Sequence, residues 1–158
     1  MAEQKTNVMR LLEQKKIRYV PHAYPHGDDA VDGVTVAGLI GKAPESVFKT
    51  LVARGASKSI LVFVIPVAQE LDLKRAAKAA GEKSVEMVRV SEINALTGYI
   101  RGGCSPIGMK KLFPTFIDET AVLFDRICVS GGRIGTNLGL DPEELAAFIH
   151  AQFVDLTK

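Results

Sequence analysis

The sequence predicts a mixed α+β fold in a single compact domain that spans residues 1–158. Three observations lead to this prediction. A chain of 158 residues is long enough for one domain with a substantial core. Hydrophobic residues make up 47% and charged residues 24% of the chain, as in ordinary globular proteins. Helical and β-type patterns follow one another without a regular βαβ alternation, which favours a mixed sheet with packed helices over a doubly wound fold.

Composition and charge exclude several classes of protein. No apolar run approaches the roughly 20 residues that span a bilayer, and the polar start MAEQKTNVMR lacks the apolar region of a signal peptide, so we expect a cytoplasmic protein. Cys104 and Cys128 form neither a CxxC pair nor a metal-binding spacing, which indicates free thiols. A net charge of +2 excludes an extended electrostatic surface for nucleic acid, but it allows a few phosphates to be bound at one site.

The first half of the chain combines short helices with a β-hairpin. Thr6 suits the N-cap of a first helix, and Pro21 lacks a backbone donor, which favours an edge position for the first strand. The apolar run SILVFVIPV predicts a hairpin strand that is buried on both faces. The predicted elements are a helix over 6–16, a strand over 17–24, a polar loop over 25–33, a helix over 34–40, and hairpin strands over 47–53 and 59–67.

The second half continues this mixture and ends on a helix. Asp72 and Gly81 are a typical cap and stop for a helix over 71–80. The last helix begins at Asp141, with Pro142 in its first turn. Its predicted buried stripe consists of Leu145, Phe148, Ile149 and Phe153. Between these helices we expect strands over 85–88, 115–118 and 126–130, and a short helix over 91–96 that Ser91 caps.

The glycine-rich segment TGYIRGGCSPIGMKK, over 97–111, admits three interpretations. A Cys104 nucleophile would need a base beside it, and the sequence places none of the three histidines there, so a small semi-buried residue is favoured. A phosphate-binding loop would need a lysine where Met109 stands, so that interpretation is rejected. The third interpretation is a pocket wall in which glycines let a ligand approach backbone amides. A second segment, SGGRIG over 130–135, could form the facing wall, although each segment alone is more often a tight turn.

Lys49 is unusual because it interrupts an apolar run. Strand alternation puts it on the same face as Val47 and Leu51. Its side chain therefore lies either on an exposed sheet face or in a pocket, and burial without a partner would be costly. The residues alone leave both interpretations open.

Two other polar clusters have less specific patterns. The segment HAYPH over 22–26, with aspartates nearby, is favoured to be a solvated loop, because its prolines prevent the helical spacing of a two-histidine metal motif. A basic cluster is either a solvated face or a contact for an RNA backbone. It consists of Lys74, Arg75, Lys78 and Lys83.

Seven segments in chain order carry a resemblance to a known family. They are HAY, SVFKTLV, LDLKRAAKAAG, VEM, TGYIRGGCSPIGMKK, PTFID and VSGGRIG, and together they extend over nearly the whole chain. In these segments the chain resembles the YbaK family of aminoacyl-tRNA deacylases, and in particular the branch that acts on Cys-tRNA(Pro).

The resemblance implies a fold and a reaction. The fold would be a curved, barrel-like mixed β-sheet of about six to seven strands wrapped by helices. The protein would edit in trans, removing cysteine from tRNA(Pro) and also from tRNA(Cys), without metal or cofactor. The thiol of the substrate itself would attack the ester carbonyl, as in a lyase, so no protein nucleophile is needed. The implied partners are the 3′ CCA end of mischarged tRNA and prolyl-tRNA synthetase.

The resemblance also assigns roles to individual residues. Lys49 and Gly102 are the implied catalytic residues, because they would orient the ester and contact its carbonyl. The implied substrate-binding residues are Tyr24, Thr50, Gly103, Ser105, Ser130 and Gly131. The loop over 25–33 and Cys104 depart from the family pattern, and both could border the amino-acid pocket. The alternatives are a non-catalytic module that binds tRNA ends or the synthetase, a deacylase for alanine or proline, and a thiol hydrolase that uses Cys104.

Overall fold

The computed structural model describes residues 5–158. Within this range the chain forms five α-helices, eight strands and two short 3-10 helices. The helices are α1 (Asn7–Gln14), α2 (Gly33–Leu39), α3 (Leu73–Ala80), α4 (Val90–Thr97) and α5 (Pro142–Ile149). The strands are β1 (Val20–Ala23), β2 (Phe48–Gly55), β3 (Ile60–Pro66), β4 (Val85–Met87), β5 (Thr115–Asp118), β6 (Ile127–Ser130), β7 (Thr136–Leu140) and β8 (Gln152–Val154). The 3-10 helices are Pro44–Ser46 and Glu119–Leu123. The mixed α+β class is confirmed.

The strands form two sheets. The larger has the order β4-β2-β3-β5-β8, in which β2 pairs antiparallel with β3 and β4, and β5 pairs parallel with β3 and β8. The smaller sheet is antiparallel, in the order β1-β7-β6. A parallel bridge between Val47 and Cys128 joins them. The single barrel-like sheet of six to seven strands is thus replaced by two sheets that meet where β2 begins.

Several local predictions are confirmed by the backbone. β1 lies at the edge of the smaller sheet, as Pro21 required. The hairpin of β2 and β3 forms around the turn between Gly55 and Ser59. Asp72 caps α3 by accepting hydrogen bonds from two backbone amides, and Gly81 ends it in the left-handed conformation.

Three local predictions are wrong. The last helix stops at Ile149, because His150 adopts a left-handed conformation with φ of 55°, and Phe153 lies in β8 instead of the helical stripe. The fourth helix begins at Val90, and its first turn is closed by the Glu92 carboxylate, which accepts from the N–H of Arg89, so Ser91 is not its cap. Neither β7 nor β8 has a counterpart among the predicted strands.

β3 separates two hydrophobic cores. Val62 and Val64 face a core shared with α1, α5 and the smaller sheet, while Phe63 and Ile65 face a second core under α3. All four side chains are completely buried, which confirms the prediction of a strand covered on both faces. Phe63 stacks on Phe116 at 5.5 Å in the second core. No helix in residues 5–158 is long and apolar enough to cross a membrane.

Candidate active site

A small cavity of about 120 Å³ lies where β2 of the larger sheet approaches the smaller sheet. Five of the residues to which the resemblance assigns a role line it, namely Tyr24, Lys49, Thr50, Gly102 and Ser130. Its apolar wall consists of Val31, Val36, Val47, Phe48 and Val67. Cys104 and Asn137 complete the polar lining. Residues from widely separated regions of the sequence therefore meet in one cavity.

Lys49 points into this cavity and not onto an exposed sheet face. It lies in β2 opposite Ile65, and its side chain is half-buried. Burial lowers the pKa of Lys49, while the negative charge of Glu70 acts in the opposite direction. The site thus contains one partly desolvated amino group, which interacts more strongly with a ligand than it would in water.

The two glycine-rich segments contact each other through their backbones. A side chain on Gly103 would bring a Cβ atom within 2.9 Å of the Cα of Arg133. Gly102 has φ of +86°, and a Cβ atom there would lie 2.7 Å from that of Ala30. Only glycine fits these positions, because larger residues would force the segments apart. The expected pair of facing glycine walls is present, with Gly102 and Ser130 as their cavity-lining members.

Three of the residues that the resemblance assigns to substrate lie outside the lining. The amide of Gly103 donates to the carbonyl of Ile100 at 3.0 Å, and that of Gly131 donates to the carbonyl of Thr136 at 2.9 Å. Ser105 is completely buried, and its hydroxyl accepts from the amide of Ile107 at 3.3 Å. In this arrangement these residues shape the walls, and their polar groups serve the two turns.

Two buried polar atoms in the lining have no hydrogen-bond partner among the described residues. They are the side-chain oxygens Oγ1 of Thr50 and Oδ1 of Asn137. Leaving a buried polar atom unpaired costs about 1–3 kcal/mol, so each such atom in a native structure calls for an explanation. Both atoms belong to residues that line the same cavity.

Asn137 is a polar residue of the cavity lining that the sequence interpretation missed. It is the second residue of β7, opposite His22 of β1 and Ser130 of β6, and is only 6% exposed. The segment TNLGL contains no β-branched run after its first residue and includes a glycine, so its strand propensity is weak. The sequence offered only its position as a signal, since Asn137 lies two residues after the second glycine-rich segment.

The loop over 25–33 borders the cavity instead of remaining wholly in solvent. Val31 and Gly33 are lining residues, and a Cβ atom on Gly33 would lie 2.3 Å from Cγ1 of Val67. Asp32 then caps α2 by accepting from the amides of Val34 and Thr35. This close approach fixes one apolar side of the cavity.

Cys104 lines the cavity as a protonated thiol. Burial raises its pKa to about 11, and a hydrogen bond with Thr97 opposes this only in part. A nucleophilic cysteine requires a thiolate and a neighbouring base. Among the described residues, none of the histidines lines this cavity. The geometry therefore favours the interpretation of Cys104 as a small buried residue.

The two remaining clusters show no catalytic arrangement. Within residues 5–158, no group of three or more histidine, cysteine, aspartate or glutamate side chains is placed to hold a metal ion. In the basic cluster, Arg75 is engaged with the end of the chain, since it contacts Asp155 and the backbone carbonyl of Thr157.

Comparison with known proteins gives the family. Residues 28–148 match the family model described as the aminoacyl-tRNA editing domain. The chain belongs to this family. The resemblance drawn from the seven sequence segments is thereby confirmed.

Individual relatives agree with this assignment. The chain is 45% identical over 155 residues to an Enterococcus faecalis protein named "Putative Cys-tRNA(Pro)/Cys-tRNA(Cys) deacylase EbsC". The aligned region covers 98% of this chain and 94% of that protein. A crystal structure described as "a putative trans-editing enzyme for prolyl tRNA synthetase" has a TM-score of 0.82 at 23% identity, and covers 98% of this chain and 99% of that one. The structure of a hypothetical protein has a TM-score of 0.86 at 22% identity, with coverage of 97% and 100%. The likeness to these two structures shows that the chain has the same fold as both proteins.

Proposed function

We propose that this protein is a trans-editing deacylase that cleaves the aminoacyl ester of Cys-tRNA(Pro), and also that of Cys-tRNA(Cys), with residues 1–158 as one editing domain. The observation that carries the proposal is the composition of the small cavity. It brings Lys49 together with the unpaired oxygens of Thr50 and Asn137. This set of groups binds and polarises an ester, and the relative named as a Cys-tRNA deacylase supports the same chemistry.

The size of the cavity favours a small amino acid. About 120 Å³ is well below the roughly 300 Å³ at which pockets for larger ligands begin. Val31, Val36 and Val67 supply an apolar surface for a short side chain such as that of cysteine. Oδ1 of Asn137 is an acceptor and suits the α-ammonium group of the amino acid, and the Thr50 hydroxyl suits the ester.

The cleavage is carried out by the substrate thiol. Its sulfur attacks the carbonyl carbon, the bond from that carbon to the ribose oxygen breaks, and the thiol proton ends on the ribose hydroxyl. The amino acid leaves as a cyclic thioester, which water then opens. The site contributes positioning and charge stabilisation, with the Lys49 ammonium and the backbone at Gly102 facing the oxygens that gain negative charge.

Lys49→Ala tests this proposal. Removing a group that stabilises the developing oxyanion typically costs about 10²- to 10³-fold in rate, so we expect release of cysteine from Cys-tRNA(Pro) to fall by that factor. The measurement is the half-life of the ester on mischarged tRNA with and without enzyme. A variant that retains the wild-type rate would contradict the role of Lys49.

The same assay separates the proposed enzyme from a binding module. A module that only holds tRNA ends or the synthetase would bind mischarged tRNA and leave the ester half-life unchanged. A panel of tRNAs charged with cysteine, alanine or proline distinguishes the cysteine deacylase from one with another preference.

We also propose where and with what the enzyme acts. Its substrate is the 3′ CCA end of tRNA in the cytoplasm, and prolyl-tRNA synthetase holds the rest of the tRNA. A net charge of +2 supports this division, because it leaves little positive surface for the tRNA body. Addition of prolyl-tRNA synthetase should lower the KM for Cys-tRNA(Pro), and an unchanged KM would contradict the partnership.

A further inference from the structure

A second cavity adjoins the first and has a different character. Its volume is about 550 Å³, within the range of pockets that hold a whole small molecule. Tyr24 lines both cavities. Gly102 of the first cavity also faces Ile134 of the second, since a Cβ atom on Gly102 would lie 3.4 Å from Cγ1 of Ile134. The two spaces are therefore neighbours across Tyr24 and the glycine wall.

The imidazole of His26 is an exposed aromatic ring that is held in place. Nδ1 lies 2.8 Å from the carbonyl oxygen of Gly27, and the ring meets Tyr24 edge to face at 6.5 Å. The ring also lies against Gly135, since a Cβ atom added to that glycine would be 2.2 Å from Cδ2 of the ring. Gly135 also accepts a hydrogen bond from the amide of Tyr24 at 2.9 Å, which fixes the distance between the strand and the turn. An exposed ring held on three sides presents a fixed surface.

The rest of the second cavity combines apolar and charged groups. Ile100 is 54% exposed and Ile134 is buried, so together they give an apolar surface beside the ring. Arg133 and Asp28 are the charged residues that line the same space, and Nε of Arg133 donates to Oγ1 of Thr136 at 3.0 Å. A flat aromatic surface, an apolar side and a guanidinium are the groups that proteins use for an unpaired base and its phosphate.

We propose that the second cavity binds the terminal nucleoside of the tRNA, with its base against His26 and Ile100 and its 5′ phosphate near Arg133. This inference rests on the proposed function, because the acylated ribose must then lie at Tyr24, between the two cavities. The division by size is consistent with it: the smaller space takes the amino acid and the larger takes the nucleoside.

Two small esters test the inference directly. One is cysteine methyl ester, and the other is adenosine acylated with cysteine on its ribose. Base stacking in single-strand sites is worth about 1–3 kcal/mol per base, which corresponds to roughly 5- to 150-fold. We expect wild-type kcat/KM to favour the adenosine ester by a factor in this range. His26→Ala should remove most of that preference, and His26→Phe, which keeps an aromatic ring, should restore it.

A binding measurement keeps the test independent of turnover. Adenosine 5′-monophosphate is titrated into the protein while backbone amide signals are followed by NMR. We expect shifts at Gly27, Gly135 and Thr136, and weaker binding by roughly tenfold in Ile100→Asp. The matched control is Leu123→Asp, which places the same charge on a side chain that is 77% exposed in a 3-10 helix and should bind as wild type does.

The outcomes separate the two proposals. If the wild type cleaves neither ester nor Cys-tRNA(Pro), the proposed function fails, and the titration still decides whether a nucleoside binds here. If the wild type cleaves both esters but His26→Ala keeps the full preference for adenosine, the nucleoside site is wrong. Shifts at residues away from the second cavity would overturn it as well.

Discussion

Thr50 and Asn137 carry the residue-scale evidence for a ligand, because each keeps a buried oxygen without a partner among the described residues. Such atoms destabilise the free protein, and we expect a bound substrate to pair with them and to recover that cost. A buried unpaired group in a small cavity is therefore evidence for binding that does not depend on any relative.

The energetic cost of the unpaired Thr50 oxygen can be measured by replacing the residue. Thr50→Val keeps the shape of the side chain and removes the unpaired oxygen, so the free energy of unfolding should stay the same or rise by about 1 kcal/mol. At the same time kcat/KM for Cys-tRNA(Pro) should fall. Chemical denaturation and the deacylation assay measure the two effects.

The matched control is Thr115→Val. The Thr115 hydroxyl donates to the carbonyl of Phe113 at 2.9 Å, so its removal should lower the free energy of unfolding by about 1 kcal/mol. Equal losses of stability in Thr50→Val and Thr115→Val would show that the Thr50 oxygen is paired within the protein.

Cys104 gives a prediction about pH. Its pKa is raised to about 11 in the folded protein from an ordinary value of 9.0. The buried neutral thiol therefore makes its full contribution to the free energy of unfolding below pH 9. That contribution is lost as the pH rises from about 9 to about 11. Alkylation of Cys104 by iodoacetamide, followed by peptide mass spectrometry, should be slow at pH 8 and accelerate towards pH 11. Fast alkylation at pH 8 would contradict the buried thiol.

Catalysis should be largely independent of this thiol. Cys104→Ala is expected to retain most of the rate on Cys-tRNA(Pro), because in the proposed mechanism the substrate provides the sulfur that attacks. A dead Cys104→Ala variant with an intact fold would favour the thiol hydrolase instead.

At the scale of elements, the two glycine-rich segments determine the shape of the site. Their contact is backbone to backbone, and the Cβ of an alanine at 103 would lie 2.9 Å from the Cα of Arg133. Neither backbone can move locally without displacing the wall that contains Gly102 or the one that contains Ser130.

Gly103→Ala should therefore lower kcat/KM by separating the walls, and it should also lower the melting temperature. Gly38→Ala is the control, since a Cβ atom there meets nothing within 4 Å and alanine favours the helix. The measurements are thermal denaturation and deacylation for both variants. If both alanines leave the rate unchanged, the contact between the walls does not shape the site.

The elements also show why parts of the fold could be predicted from the sequence and others could not. α3 was predictable because its cap, its apolar face and its terminal glycine are local signals. β7 was not predictable, because its sequence has a weak strand propensity. It forms a strand between β1 and β6, where all five of its residues are buried. Phe153 continues the helical spacing from Ile149, and only the left-handed turn at His150 places it in β8.

At the scale of the whole molecule, the site exists because two sheets meet. The glycine segments and Lys49 were visible in the sequence, but the pairing of β6 with β7 and the bridge to Val47 are long-range contacts that bring them together. Sequence periodicity carries no information about such contacts. Asn137 lines the candidate site only because of this pairing.

The overall charge gives a prediction at the same scale. With a net charge of +2, the protein alone should contact only a few phosphates of the tRNA end. For about three contacts to a single strand, log KM should change with log salt with a slope of magnitude about 2. A slope of magnitude 5 or more in the same assay, roughly seven contacts, would indicate an extended tRNA surface.

The most direct test of the central claim compares two esters that differ in one atom. Cys-tRNA(Pro) and Ser-tRNA(Pro) have side chains of nearly the same shape, and only cysteine supplies a thiol for attack on its own carbonyl. Single-turnover deacylation by the wild-type protein should release cysteine rapidly and leave the seryl ester near its uncatalysed rate. Equal acceleration of both esters would contradict cleavage by the substrate thiol.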